Sequence, residues 1–309
     1  MSTALLFPGQ GAQSAGYLHR LPAHDAVRST LEEASRGLDA NVLDLDTEEA
    51  LSGNAAVQIG LLVATVATAR ALLTEEMPAR AVAGLSVGAF AAAVACGSLN
   101  FADALRLVRL RGEAMQKAFP AGFGMLAVVG LDEHQVASVL ANAPEGAYIA
   151  AINAPLQIVL SGSDAALEMA GERARAAGAR KTERLAVDVP SHCPLMHDVS
   201  ASLRQAMSGI SLRPPRMTYI SNRRGHAVFD AEGIRADLIG NVAHTVRWFD
   251  TTHVLYEMGV RLFVELPPGE VLARLAQSAF ADARAVSVET AGLEAALLLA
   301  RREAERDPG

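Results

Sequence analysis

The stretch Arg80-Ala81-Val82-Ala83-Gly84-Leu85-Ser86-Val87-Gly88-Ala89-Phe90-Ala91-Ala92-Ala93-Val94-Ala95 decides the reading of the chain. A short apolar run ends at Gly84, an alanine-rich run starts after Gly88, and one serine stands midway between the two glycines. The order is strand, tight turn, helix. The glycines let the turn close, and the serine oxygen stands exposed at a helix N-terminus, which is the layout of a nucleophile elbow. A serine that merely caps a helix in a glycine turn is the plain alternative. The preceding strand and the following helix favour the nucleophile, since G-x-S-x-G carries its meaning only in that context.

Composition sets the frame around this turn. A chain of 309 residues that is 51% hydrophobic and 20% charged can bury a large core, as one big domain or two unequal ones. The net charge of -7 argues against nucleic acid or an anionic membrane surface as the main partner. Lysine appears at Lys117 and Lys181 alone, and the other basic residues are arginines. Cys96 and Cys193 form no C-x-x-C pair, and the N-terminus shows no signal-peptide pattern, so a reducing cytoplasm is expected. Ala81 to Leu99 is uncharged over the length of a membrane span. It is rich in Ala, Gly and Ser and broken at Gly84, Gly88 and Gly97, so a buried strand followed by a buried helix explains it better.

Outward from the elbow, Thr3 to Phe7 reads as a strand followed by the loop Pro8-Gly9-Gln10-Gly11-Ala12-Gln13, and Asn54 to Leu73 as a long apolar helix. Asn100 caps a further helix, with Asp103 as a box-like partner. Alternating strands and helices predict an α/β core with parallel strands. Between Gly124 and Pro190 the rhythm changes. Met125–Gly130, Ala147–Ile152, Gln157–Ser161 and Arg184–Val189 read as strands, with helices over Asp132–Ala141 and Ser163–Ala177. This βαββαβ order predicts a ferredoxin-like small domain, residues 124–190, inserted into a core made of residues 1–123 and 191–309. The core resumes with a strand at Arg261–Leu266 and the loop Pro267-Pro268-Gly269, and the charged tail after Leu299 reads as disordered.

A serine nucleophile needs a base, and eight histidines are available. His192 stands out in Val189-Pro190-Ser191-His192-Cys193-Pro194, where a small-domain strand ends and a helix with proline in its first turn begins. That is the seam between domains, where clefts form. A capping or core histidine is the plain alternative. A metal pair with His197 lacks a third ligand at usual spacing, and no metal site is expected.

Helical periodicity exposes another anomaly. Phe101, Leu105, Val108, Arg111 and Met115 share one stripe at 3.6-residue spacing, while Arg106, Arg109, Glu113 and Lys117 lie elsewhere. Arg111 thus interrupts an apolar face. A buried guanidinium requires an anionic partner, supplied either by an internal acid or by a substrate carboxylate held bidentately. The Pro8-Gly11 loop matches no nucleotide fingerprint. Its glycines instead let a backbone N–H approach a reacting carbonyl, beside the amide of Val87, the residue after the nucleophile.

Phe7-Pro8-Gly9-Gln10-Gly11, the elbow, Arg111-Gly112-Glu113-Ala114-Met115, Pro190-Ser191-His192-Cys193-Pro194-Leu195-Met196 and Val246-Arg247-Trp248 together resemble the ordered landmarks of malonyl-CoA:acyl-carrier-protein transacylases. The resemblance runs over nearly the whole chain. It implies an α/β-hydrolase-like large domain with the ferredoxin-like insertion. It also implies Ser86 as nucleophile, His192 as base, Arg111 as clamp for the malonyl carboxylate, and the backbone amides of Gln10 and Val87 as oxyanion hole. It further implies malonyl-CoA as substrate, no bound cofactor, and a partner carrier protein bearing a phosphopantetheine-type arm.

The chain departs from the family pattern at Leu85, where His is usual, and at Ala89-Phe90, where Glu-Tyr is usual. Arg247 stands where Gln is usual, and if its backbone carbonyl orients the base the side-chain change is tolerable. The sequence Gly-Leu-Ser-Val-Gly-Ala-Phe resembles more closely the acyltransferase (epsilon) subunit of malonate decarboxylase. That likeness implies transfer to a carrier subunit with a phosphoribosyl-dephospho-coenzyme A arm, among other decarboxylase subunits. The alternatives are a fatty-acid-synthesis transacylase, an α/β-hydrolase esterase or thioesterase, and a non-catalytic subunit that holds a carrier.

Overall fold

Two sheets of unequal size organise the chain, and the segments that carry Gln10 and Ser86 leave the larger one at the carboxyl ends of its strands. The computed structural model describes residues 2–141 and 146–306. In chain order, β1 (Ser2–Phe7) is followed by α1 (Asp25–Leu38) and α2 (Asn54–Thr74), and β2 (Ala79–Gly84) by α3 (Gly88–Ala95) and α4 (Phe101–Ala118). Next come β3 (Phe123–Val129), α5 (Glu133–Ala141), β4 (Ala147–Ala154), β5 (Gln157–Ser163), α6 (Asp164–Ala176) and β6 (Lys181–Arg184). The chain continues through α7 (His197–Met207), β7 (Thr218–Ile220), β8 (Ala227–Val228), α8 (Ala231–Gly240) and α9 (Trp248–Glu257). It ends with β9 (Val260–Glu265), α10 (Val271–Ala279), β10 (Arg284–Ser287), α11 (Val288–Ala291) and α12 (Leu293–Glu305).

The larger sheet has the order β10-β9-β1-β2-β7-β8, parallel throughout except at the β7–β8 edge. Its central strands are apolar on both faces: Ala4, Leu5, Leu6 and Phe7 of β1 and Val82 and Ala83 of β2 are fully buried, as expected of a parallel sheet covered by helices on both sides. Phe7 pairs with Gly84. The loops that follow β1 and β2 therefore leave the sheet side by side at the carboxyl ends of the strands, where crevices form in such sheets. Helix α2 is apolar on all sides and long enough to cross a membrane, yet 83% of its most apolar stretch is buried within the protein.

The smaller sheet is antiparallel with the order β4-β5-β3-β6. It packs its own core, including Val128, Ile158, Leu160 and Leu167. The molecule is thus a mixed α/β protein. Strand β4 is joined to the segment before α9 by backbone pairing: Ile152 N–H donates to Val246 O at 2.9 Å and Val246 N–H to Ala150 O at 2.8 Å. Thr245 Oγ1 adds a bond to Ile149 O at 2.8 Å.

Two expectations are corrected. The strand expected at Arg184–Val189 is instead Lys181–Arg184, because Val187 N–H folds back onto Leu185 O at 2.8 Å as the chain turns toward the site. The tail expected to be disordered is helical through Glu305, since Ala296, Leu297 and Ala300 repeat at helical spacing and bury one face. Residues 307–309 lie outside the described residues.

Candidate active site

Ser86 sits at the turn between β2 and α3 with φ of 58°, in the left-handed region that side chains other than glycine rarely adopt. The flanking glycines are required by close approach. A Cβ on Gly84 would lie 2.2 Å from the backbone of Gly88, and one on Gly88 would lie 2.2 Å from the carbonyl oxygen of Phe7 in β1. The elbow is therefore pressed against the neighbouring strand.

His192 meets it from the segment before α7. Its Nε2 lies 2.7 Å from Ser86 Oγ, and its Nδ1 lies 2.6 Å from the backbone carbonyl of Asn241. A carbonyl only accepts, so Nδ1 carries the proton and Nε2 is left to accept the serine O–H. Burial pushes the imidazole down to about 3, and the neighbouring Arg111 charge acts in the same direction against the carbonyls of Asn241 and His244. The ring is therefore neutral at physiological pH, with Nε2 free to accept a proton.

Arg111 is fully buried on α4, on the stripe with Phe101, Leu105, Val108 and Met115. Its Nη1 donates to Gln58 Oε1 at 2.5 Å and its Nη2 to Ser86 Oγ at 3.2 Å. Among the described residues it makes no ion pair, so the internal acid considered from the sequence is not its partner. Burial lowers the guanidinium to about 9, which leaves it charged at neutral pH and without a counter-ion.

The loop after β1 passes beside the elbow. The Gln10 side chain donates to Asn54 Oδ1 at 3.0 Å, and Asn54 in turn donates to Gly112 O at 3.2 Å, which ties the loop to α2 and α4. The backbone amides of Gln10 and Val87 meet no acceptor among the described residues. Val87 is the N-cap of α3, so its amide belongs to the unpaired donors at a helix start. Serine, neutral imidazole, unpaired amides and a buried cation together suit acyl transfer through a serine ester to or from an acid-bearing acyl group.

Two cavities flank Gln10. One of about 240 Å³ runs between the sheets, lined by Leu85 and the 8–12 loop on one side, Ala127 and Val159 on another, and Leu272 and Leu275 of α10. The other, about 400 Å³, is lined by Asn54, Phe119, Val187 and Val189. Depressions of about 530 Å³ and 540 Å³ elsewhere are larger but touch neither Gln10 nor Leu85, so position beside the elbow rather than size singles out these two cavities, although Ser86, His192 and Arg111 line none of the four. His197 faces His244, with ring centroids 6.5 Å apart.

Three contributors were not anticipated. Asn222 accepts the Ser86 N–H at 3.1 Å, Asn241 donates to Ser86 O at 3.2 Å as well as orienting His192, and Gln58 holds Arg111. The carbonyl that orients the base is therefore that of Asn241. Arg247 instead pairs through its side chain with Asp250 at 2.6 Å and Glu133 at 2.9 Å.

With this geometry in place, similarity to known proteins is informative. The family described as acyl transferase domain matches residues 4–294. Malonyl CoA-acyl carrier protein transacylase of Salmonella typhimurium is 36% identical over 304 residues, which cover 95% of this chain and 98% of that protein. The Haemophilus influenzae protein of the same name is 35% identical over 92% of this chain and 94% of its own length. The chain belongs to the malonyl-CoA:acyl-carrier-protein transacylase family. Among solved members, the Coxiella burnetii transacylase superposes with a TM-score of 0.92 at 34% identity, covering 98% of each chain. A malonyl-transacylase solved in complex with its type II PKS acyl-carrier protein also gives 0.92 at 34% identity, covering 97% of this chain and all (100%) of that one.

These relatives reverse one ranking made from the sequence. The malonate decarboxylase reading rested on Leu85, Ala89 and Phe90, and the relatives' names support the acyl-carrier-protein transacylase alternative instead. Ala89 and Phe90 are fully buried, so they report on core packing and touch no carrier. Leu85 reaches the cavity wall.

Proposed function

We propose that this chain carries a malonyl group from malonyl-CoA, through an ester on Ser86, to the thiol of an acyl-carrier protein. The observation that carries the reading is the counter-ion-free Arg111 guanidinium bonded to the same Oγ that His192 engages, which leaves a fixed cation beside the acyl site for a free carboxylate. His192 Nε2 takes the Ser86 proton as Oγ attacks the thioester carbonyl. The oxyanion forms against the amides of Gln10 and Val87. As it collapses, the carbon–sulfur bond breaks and the coenzyme A thiolate takes the proton from Nε2. A carrier thiol then gives its proton to Nε2 and attacks the ester, and Ser86 Oγ leaves with that proton. Serine, imidazole and two amides complete this cycle, so it calls on no bound cofactor or metal.

In this reading Arg111 binds the malonyl carboxylate and keeps it ionised, so the group is passed on intact. The acceptor is a carrier with a phosphopantetheine-type arm, long and thin enough for the cavities beside Gln10. The four-stranded sheet with α5 and α6 is read as a ferredoxin-like insertion, residues 124–190, in an α/β-hydrolase-like core of residues 1–123 and 191–309. Two unpaired, buried thiols at Cys96 and Cys193 accord with a cytoplasmic location.

The test is intact-mass analysis after mixing with malonyl-CoA, followed by chase with a fatty-acid-type carrier and, separately, with a malonate decarboxylase carrier. A malonyl adduct that is absent from Ser86→Ala and discharges to the fatty-acid-type carrier is expected. An adduct of normal yield in Ser86→Ala would remove the serine from the mechanism, and faster discharge to the decarboxylase carrier would restore the other ranking.

A further inference from the structure

Asn222 lies in the turn after β7, 136 residues from Ser86 in sequence, and is fully buried. Its side chain is committed at both ends to the elbow: Oδ1 accepts the Ser86 N–H at 3.1 Å and Nδ2 donates to Gly84 O at 2.5 Å. Those are the two peptide groups that flank Leu85. Its backbone is held just as firmly. The Asn222 N–H donates to Asp237 Oδ2 at 3.2 Å, and its carbonyl accepts the Arg247 N–H at 2.9 Å. Asp237 also accepts from Tyr219 Oη at 2.7 Å, Ser221 Oγ at 2.5 Å and Arg223 N at 3.3 Å, so the turn is anchored to α8.

A serine persists in the left-handed region only where its surroundings over-determine it. The Asn222 amide supplies one acceptor and one donor at the spacing those two peptides demand. It also occupies the Ser86 N–H, leaving the Val87 amide as the elbow's free donor. We propose that Asn222 is a positioning residue of the transfer reaction, gripping both peptides around Leu85 so that Ser86 Oγ is presented to His192. This rests on the reading of Ser86 as the acylated nucleophile.

An ionised carboxylate at this position offers two acceptors and opposes the Gly84 carbonyl, whereas a protonated one restores one donor and one acceptor. The full-length Asn222→Asp variant therefore makes the role visible in a pH profile. Around the position stand Asp237, Arg223 and Arg224 of the same turn, the mutually paired Arg247 and Asp250, and Arg111 with His192 on the Ser86 hydroxyl. Burial and the Asp237 charge both hold the introduced carboxyl above its ordinary value of about 3.9.

Malonyl-enzyme formation is followed by rapid quench and intact mass between about pH 8 and about pH 5. Acylation of Asn222→Asp is expected to be slower than wild type by about tenfold or more at the alkaline end, the loss for a buried acceptor, the Gly84 carbonyl, left unmet, and to recover toward the acid end. The wild-type rate stays flat, because its base remains unprotonated. A rate that tracks wild type at every pH overturns the proposal, as does one that stays low throughout while circular dichroism is native. Asn222→Ala gives a second reading: kcat falls by the same factor for malonyl-CoA and acetyl-CoA with KM unchanged, and a raised KM with kcat held overturns the role. A persistent adduct in Ser86→Ala sinks the nucleophile itself. Loss of that adduct with unaltered Asn222 variants sinks Asn222 alone.

Discussion

Arg111 Nη2 donates to Ser86 Oγ at 3.2 Å, so the buried cation and the elbow hydroxyl are hydrogen-bonded to each other within the protein itself. The serine hydroxyl thereby accepts from a guanidinium while donating to His192 Nε2. Conversion of Oγ to an ester ends the bond to His192 and turns the guanidinium toward whatever the acyl group offers.

Arg111→Ala is expected to lower kcat/KM for malonyl-CoA by about one and a half to three and a half powers of ten. Truncating one member of a buried charge pair costs roughly 2–5 kcal/mol. Acetyl-CoA has no carboxylate, and its turnover holds steady or rises. Equal losses for the two thioesters, with the fold intact by circular dichroism, would make Arg111 a scaffold residue.

The pH dependence of acylation should be unusual for a histidine base. The neutral imidazole is the active form and its value is held down to about 3, so activity persists as pH falls well past the ordinary value of 6.5 and is lost only near the lower one. Burial is the main cause and the Arg111 charge the second, so the acid limb of Arg111→Ala, measured with acetyl-CoA, moves up. A wild-type limb near the ordinary histidine value would show a solvated ring.

Gly9→Ala probes the oxyanion hole. A Cβ there would lie 2.7 Å from Leu85 Cδ2 and 2.9 Å from Leu85 O, which pushes the Gln10 loop off the elbow. Loss of one oxyanion donor costs about a hundredfold or more in kcat. The loss is expected to be equal for malonyl-CoA and acetyl-CoA, in contrast to Arg111→Ala, and unequal losses would place Gly9 in substrate selection.

Glu265 predicts a stability effect. It is fully buried at the end of β9, with Oε2 accepting Ala273 N–H at 2.7 Å and Oε1 without a partner, and burial pushes its carboxyl up from 4.5 to about 7. The folded state therefore keeps a proton that the unfolded chain loses, and stability falls as pH rises through that window. Glu265→Gln imitates the protonated acid. By denaturant unfolding it should be more stable than wild type by about 2–3 kcal/mol at about pH 8 and nearly equal at about pH 5. An equal difference at both pH values would mean that the carboxyl does not titrate in this range.

Much of the site was legible because it is local. The elbow needs two glycines at fixed spacing, and Arg111 betrays itself by breaking an apolar stripe. Asn222 and Asn241 act across 136 and 155 residues through backbone groups, and no periodicity marks such a partner. Gln58 did carry a signal, as the one polar side chain in the run from Ala55 to Ala64. Whether the Arg247 carbonyl meets the imidazole could not be read from its place in a landmark motif, and the chain delivers that carbonyl at Asn241, before the turn into α9. In the fold, the βαββαβ order could be read from alternation and turns. The end of β6 could not, because a local backbone turn rather than a change of residue type stops it.

The backbone pairing of Ile152 and Ala150 with Val246 fastens the smaller sheet to the stretch that follows Asn241 and His244. A hinge at that joint would have to break ladder bonds, and its swing would be felt by the peptide that steers the imidazole. The gap between the two sheets is consequently a slot of set width rather than a jaw. In the proposed reaction, the alignment of His192 with Ser86 is then settled when the chain folds rather than each time a substrate arrives.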